Sequence, residues 1–181
     1  MKLAALPTLA ATLATACSSD EIDLSGVYSV DSDVASMPCG NDTDVSPRPA
    51  FIKFDQVEFF GQTSWKFEDC TDGLGMMCSG NGAGLFGGTS LVNNGLFSGL
   101  TTPVANGWTG TEYSASFSGT MCTLDYKTTS ATVNIAKLAV DVLDYQDMMM
   151  STNAECTVDL AKQRNSAMPC AAHGHIAGTK L

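Results

Sequence analysis

Short stretches in which apolar and polar residues take alternate places recur along this chain, each soon stopped by glycine, asparagine or proline. A period of two puts one apolar row on one face of an extended strand, whereas a helix needs a period near 3.6. Repeated many times, that pattern calls for half-buried strands. In residues 23–31, Leu24, Gly26, Tyr28 and Val30 share a face. Residues 50–60 and 63–70, joined by Gly61-Gln62, predict a hairpin with Trp65 and Phe67 side by side. Residues 107–118 and 120–128 predict another around Gly119, with Tyr113, Ala115 and Phe117 on one face of the first strand and Cys122, Leu124 and Tyr126 on one face of the second.

The remaining segments are read the same way. Residues 32–49 carry Pro38, Gly40, Pro47 and Pro49 and predict a loop pinned by Cys39. Asn94-Gly95, between Leu91-Val92 and Leu96-Phe97, predicts a tight hairpin turn within a glycine-rich region. In residues 131–143 the apolar parity changes between Val133 and Leu138, which predicts a strand bulged near Ala136-Lys137. A helix from Lys137 to Met150 competes, because Leu138, Val142, Tyr145 and Met149 also have helical spacing; the β-branched residues favour the strand. Cys156, Val158 and Leu160 alternate and predict a strand, residues 166–170 turn through Pro169, and residues 173–181 predict a short terminal strand. About eight to ten short strands with little helix predict an all-β, mainly antiparallel fold, a barrel or a sandwich.

Seven cysteines constrain the fold further. Set Cys17 aside and Cys39, Cys70, Cys78, Cys122, Cys156 and Cys170 form an even set that pairs completely. Three disulfides imply an oxidising compartment, and Cys70 and Cys78 are close enough to close one small loop. Zinc is the weaker account of these cysteines, because no Cys-x2-Cys spacing occurs.

The start of the chain explains why Cys17 stands apart. Lys2 precedes an apolar run from Leu3 to Leu13, and the small residues Ala14-Thr15-Ala16 lead into Cys17. This stretch resembles the bacterial lipoprotein signal. The resemblance implies that residues 1–16 are removed, that Cys17 is lipidated as the new N-terminus, and that residues 17–22 form a short polar tether to one β domain, residues 23–181. Ser18 after the cysteine is similar to the residue that sorts such proteins to the outer membrane. Plain secretion after Ala16 and an uncleaved anchor are the alternatives. Pro7 and the threonines leave the run short of the ~20 apolar residues that a spanning helix needs.

The formal charge is −10, from 9 basic and 19 acidic residues. Binding to nucleic acid needs clustered Lys and Arg to neutralise phosphates, so no nucleic acid is expected as a partner. The expected partner is a membrane, reached through the N-terminal lipid.

Few residues offer chemistry. His173 and His175 would share one face of a strand, as metal-binding histidines do, but exposed strand histidines are favoured and no metal or other cofactor is expected. Asp31-Ser32-Asp33 and Asn41-Asp42-Thr43-Asp44 place oxygen atoms where Ca²⁺ could use them, with solvated acidic loops the plainer reading. Met148-Met149-Met150 reads as core filling or a loop touching the core, ahead of a metal or ligand site. No Gly-x-Ser-x-Gly occurs, no catalytic residue is assigned, and the chain is not expected to be an enzyme. Gly26-Val27-Tyr28 resembles the opening Gly-x-Trp of lipocalins, and Leu124-Asp125-Tyr126 and Arg164 fall in the order of that family's later motifs. The resemblance implies a barrel with an apolar pocket. The leading expectation is therefore an outer-membrane lipoprotein with a structural or binding role. A lipocalin-like binder of a small apolar molecule comes second, and a hydrolase or metal-dependent enzyme built on His173 or His175 third.

Overall fold

The computed structural model describes residues 21–59, 61–79 and 100–181. Among them are the strands β1 (Gly26–Ser36), β2 (Thr43–Asp44), β3 (Phe51–Phe59), β4 (Gln62–Cys70), β5 (Cys78–Ser79), β6 (Thr102–Val104), β7 (Gly107–Ser118), β8 (Met121–Asn134), β9 (Lys137–Met150) and β10 (Cys170–Lys180). One short helix, α1 (Val158–Arg164), precedes β10. The strands pair antiparallel in the order β5-β4-β3-β1-β10-β9-β8-β7-β6, with β2 beside β1. Trp65 and Leu100 exchange two backbone hydrogen bonds, of 3.1 and 3.2 Å, and so tie β4 to the segment that enters β6. Every long strand thus lies beside its neighbours in sequence, in a nearly closed up-and-down barrel made by β1, β3, β4 and β6 to β10. Closure leaves few unpaired strand edges to invite other chains.

The apolar rows point inward. Leu24, Tyr28, Val30, Ile52, Phe54, Trp65, Trp108, Val140, Val142 and Ile176 belong to one buried cluster inside the barrel. Tyr28 meets Phe54 edge-on at 5.9 Å, and Trp65 meets Trp108 likewise at 6.1 Å. Gly107 has no side chain for a packing reason: a Cβ there would collide with the backbone of Ala131 and Thr132 on β8. Fully burying one large apolar side chain contributes roughly 1.5–3 kcal/mol, so this cluster is the main source of stability.

A second, smaller cluster lies on the outside of the barrel. Strand alternation turns Tyr113, Cys122, Leu124, Tyr126, Tyr145 and Met149 outward, where α1 and Met168 cover them. The rings of Tyr113, Tyr126 and Tyr145 stack across three strands at 5.0 and 5.4 Å. Three disulfides, Cys39–Cys170, Cys70–Cys78 and Cys122–Cys156, tie loops and α1 to the wall. The pairing of Cys70 with Cys78 is the one their spacing suggests.

Four local expectations need correction. Residues 32–49 are not all loop, because β1 continues to Ser36 and β2 pairs with it at Val34 and Ala35. The parity change after Val133 is a hairpin turn, not a bulge: Val133 faces Leu138 and Asn134 faces Lys137 across Ile135-Ala136. Ile135, 98% exposed with φ 59°, takes a backbone form that glycine adopts more readily. Residues 158–164 form α1 instead of a strand; the Thr157 hydroxyl caps it by accepting from the Leu160 amide, with Asp159 in the first turn and Lys162 and Arg164 in the last. Met148 and Met150 are exposed, and only Met149 of that run packs against a core. The Asn94-Gly95 hairpin lies outside the described residues.

Candidate functional site

The lumen is the place where the strands bring most side chains together, and its chemistry changes along its axis. On β7 the lumen-facing positions run from Trp108 to Glu112, on β8 from Ala131 to Lys127, and on β9 from Val140 to Asp144. On β1 they run from Tyr28 to Asp33, and on β4 from Trp65 to Asp69. All five rows become polar toward the same end. The barrel therefore has an apolar floor and a charged mouth.

The floor is closed by the segment ahead of β1. Ile22 and Leu24 enter the aromatic cluster; the Trp108 Nε1 donates to the Ile22 carbonyl at 2.6 Å and the Tyr28 hydroxyl donates to the Leu24 carbonyl at 2.9 Å. Leu24 is fully buried. Two of the most buried polar groups of the floor thus find partners on this segment, which acts as a plug. Lys180 Nζ sits 5.8 Å from the centre of the Tyr28 ring, within reach of a cation–π interaction.

Higher in the lumen, Asp33 is 1% exposed and neither carboxylate oxygen has a hydrogen-bond partner. Burial pushes its pKa up to about 6; the nearby Asp69 adds to this and Arg48 opposes it. A carboxyl group without donors is costly to ionise in such a place, so the protonated form gains. Asp144, whose Oδ1 is also buried and without a partner, is raised by burial against the pull of Lys127. The Trp65 indole nitrogen is a third unpartnered group on the lumen wall. Lumen carboxylates leave no sequence signal of their own, because Asp33 lies just past the bulge between Val30 and Ser32 that reverses the parity of β1.

The sequence candidates fall elsewhere. His173 and His175 do share one face, on the outer wall, and each is half-buried and held by a carboxylate: His173 Nδ1 lies 3.0 Å from Asp42 and His175 Nδ1 2.7 Å from Asp141. Hydrogen bonds from His173 and Ser36 hold the Asp42 pKa below its usual value. Asp31 and Asp33 part company at the bulge, Asp31 turning outward to Thr179 and Lys137. No group of three or more His, Cys, Asp or Glu able to hold a metal occurs among the described residues. Arg164 is on the outer wall, paired with Asp147 at 2.7 Å, whereas Tyr28 is inside, so the two are not brought together. A shallow recess of about 460 Å³ opens between α1 and the end of β9, beside Met149, Glu155, Leu160 and Gln163. Among the described residues no helix is long and apolar enough to cross a membrane. No family model, curated protein or solved structure matches this chain.

Proposed function

We propose that this chain is a non-enzymatic binding protein of the bacterial envelope, held at the outer membrane by lipid on Cys17, whose barrel takes a small molecule with an apolar body in lipocalin-like fashion. The observation that carries the reading is the nearly closed up-and-down barrel with an aromatic floor and a charged mouth. Such a lumen sorts a guest by polarity along one axis. In the described structure Ile22 and Leu24 occupy the floor, and a guest takes the place of these two side chains. The anchor is supported by the pairing of the six later cysteines with one another, which leaves Cys17 as the odd one. Single acyl chains hold membranes only marginally, so the multiple acylation of the lipoprotein family suits a lasting attachment.

Tryptophan emission tests the binding, because both tryptophans of the chain face the lumen. Titration with a neutral apolar probe such as N-phenyl-1-naphthylamine is expected to give saturable energy transfer from Trp65 and Trp108, and added decanol is expected to reverse it. Unchanged emission up to the solubility limit of the probe refutes the carrier reading. Mass spectrometry of the N-terminal peptide from membranes tests the anchor separately; an unmodified Cys17 refutes it.

A further inference from the structure

Exposed methionines gather at the far end of the ribbon formed by β7, β8 and β9. Met121 on β8 is the direct partner of Met150 on β9, and Met148 lies two residues before Met150. All three therefore leave the ribbon on one face, the one that continues the lumen wall, while Met149 turns the other way, beneath α1. They are 40%, 63% and 77% exposed. Their neighbours on that face are Ser116, Ser118 and Thr123, too small to cover them.

A single exposed apolar residue needs no explanation. Three in register, of one type, do. Leucine or valine would fit a strand surface as well, so what methionine adds is a polarizable thioether on an unbranched arm with three rotatable bonds. Facing residues on paired strands have Cβ atoms about 4.5–5.5 Å apart, and diagonal neighbours stand about 7–8 Å apart, close enough for such arms to converge. Uncharged sulfur donors select soft ions, Cu(I) above all, and discriminate against Mg²⁺ and Ca²⁺, which prefer oxygen. With the six later cysteines locked in disulfides, thioethers are the soft donors left on this barrel. The formal charge of −10 also favours a cation near the surface.

We propose that Met121, Met148 and Met150 form a surface site for a soft monovalent metal ion, Cu(I), bound by three thioether sulfurs. This site is separate from the lumen and does not depend on the carrier reading. Ag(I) is the probe, because it shares the charge and softness of Cu(I) without its redox chemistry and needs no reductant that would open the disulfides. The chain carries Cys17→Ser so that no free thiol competes, and its methionine methyl groups are labelled with ¹³C.

One equivalent of Ag(I) is expected to shift the methyl signals of Met121, Met148 and Met150 and to leave those of Met76 and Met77 in place. Met76 and Met77 are equally exposed, but they sit in the loop that Cys70 and Cys78 close. The double variant Met148→Leu/Met150→Leu, nearly equal in volume, is expected to weaken binding at least 30-fold, with Met76→Leu/Met77→Leu unchanged. Equal shifts at all exposed methionines, no saturable shift, or full affinity in the Met148→Leu/Met150→Leu variant would overturn the site. If that variant folds poorly, the methyl shifts of the parent chain decide the matter alone.

Discussion

The lumen shares β7, β8 and β9 with the cluster under α1, yet the two regions are held in opposite ways. Inside, Trp108, Ala131 and Val140 share one cluster with residues of β1, β3, β4 and β10, and Trp108 reaches Trp65 and Ile22, segments distant in sequence. Outside, Tyr113, Leu124 and Met149 are covered by a seven-residue helix and Met168, a cover clamped by Cys122–Cys156 and by Asn165 donating to the Tyr113 hydroxyl. A helix this short has little stability of its own, and the disulfide replaces the enclosure that the lumen obtains from closure. Among the described residues the buried unpartnered side-chain atoms belong to Asp33, Trp65 and Asp144 in the lumen and to Ser64 on the other face of β4, none in the outer cluster.

The difference can be tested by removing what each region depends on. Trp108→Ala takes the largest ring out of the lumen together with its bond to Ile22, and is expected to cost about 4 kcal/mol in urea unfolding. Protection of β1 and β10 amides should fall with it. Replacing Cys122 and Cys156 together by serine is expected to cost nearly as much, about 3.8 kcal/mol, from a sequence separation of 34. Hydrogen exchange should then speed up across residues 158–164 while β1 and β10 keep their protection; if both regions loosen together, they are one cooperative unit and the contrast fails.

Asp33→Asn sharpens the comparison at its most polar point. The folded state keeps the Asp33 proton up to about pH 6, against ~3.9 for an unfolded aspartate, so between these values it binds more protons than the unfolded chain. The stability this gives is complete below about pH 4 and is lost as pH rises through 6. Asparagine is therefore expected to gain about 2 kcal/mol at pH 7, to change little at pH 4, and to flatten the thermal stability profile between. An equal effect at both pH values would mean that the carboxyl is not protonated inside the barrel.

The barrel was largely legible because most of its strands alternate cleanly. Leu24, Tyr28 and Val30, or Trp65 and Phe67, lie on the faces their spacing predicts. Where the reading failed, one pattern had two physical causes. A parity change arises from a bulge or from a two-residue turn, and at Ile135 only tertiary pairing distinguishes them. Five residues from Cys156 to Leu160 are too few to separate period two from a short helix, and Thr157 as a cap is the local signal that marks the helix. The candidate site was less legible still. Asp33 looked like one of a solvated pair with Asp31, and the bulge at Asp31 that sends it inward has no glycine to announce it. Met121, Met148 and Met150 come from two strands, and only the β8–β9 register brings them side by side.

β1 pairs along its length with β10, so that Asp31 and Thr179, 148 positions apart, hydrogen-bond across it. A chain made from its N-terminus presents β1 long before β10 arrives, and loop closure over such a span is slow. Until then β1 is an unprotected sticky border. The barrel therefore stays open at this seam until its last strand is made, and pairing of β10 with β1 is the step that shuts it.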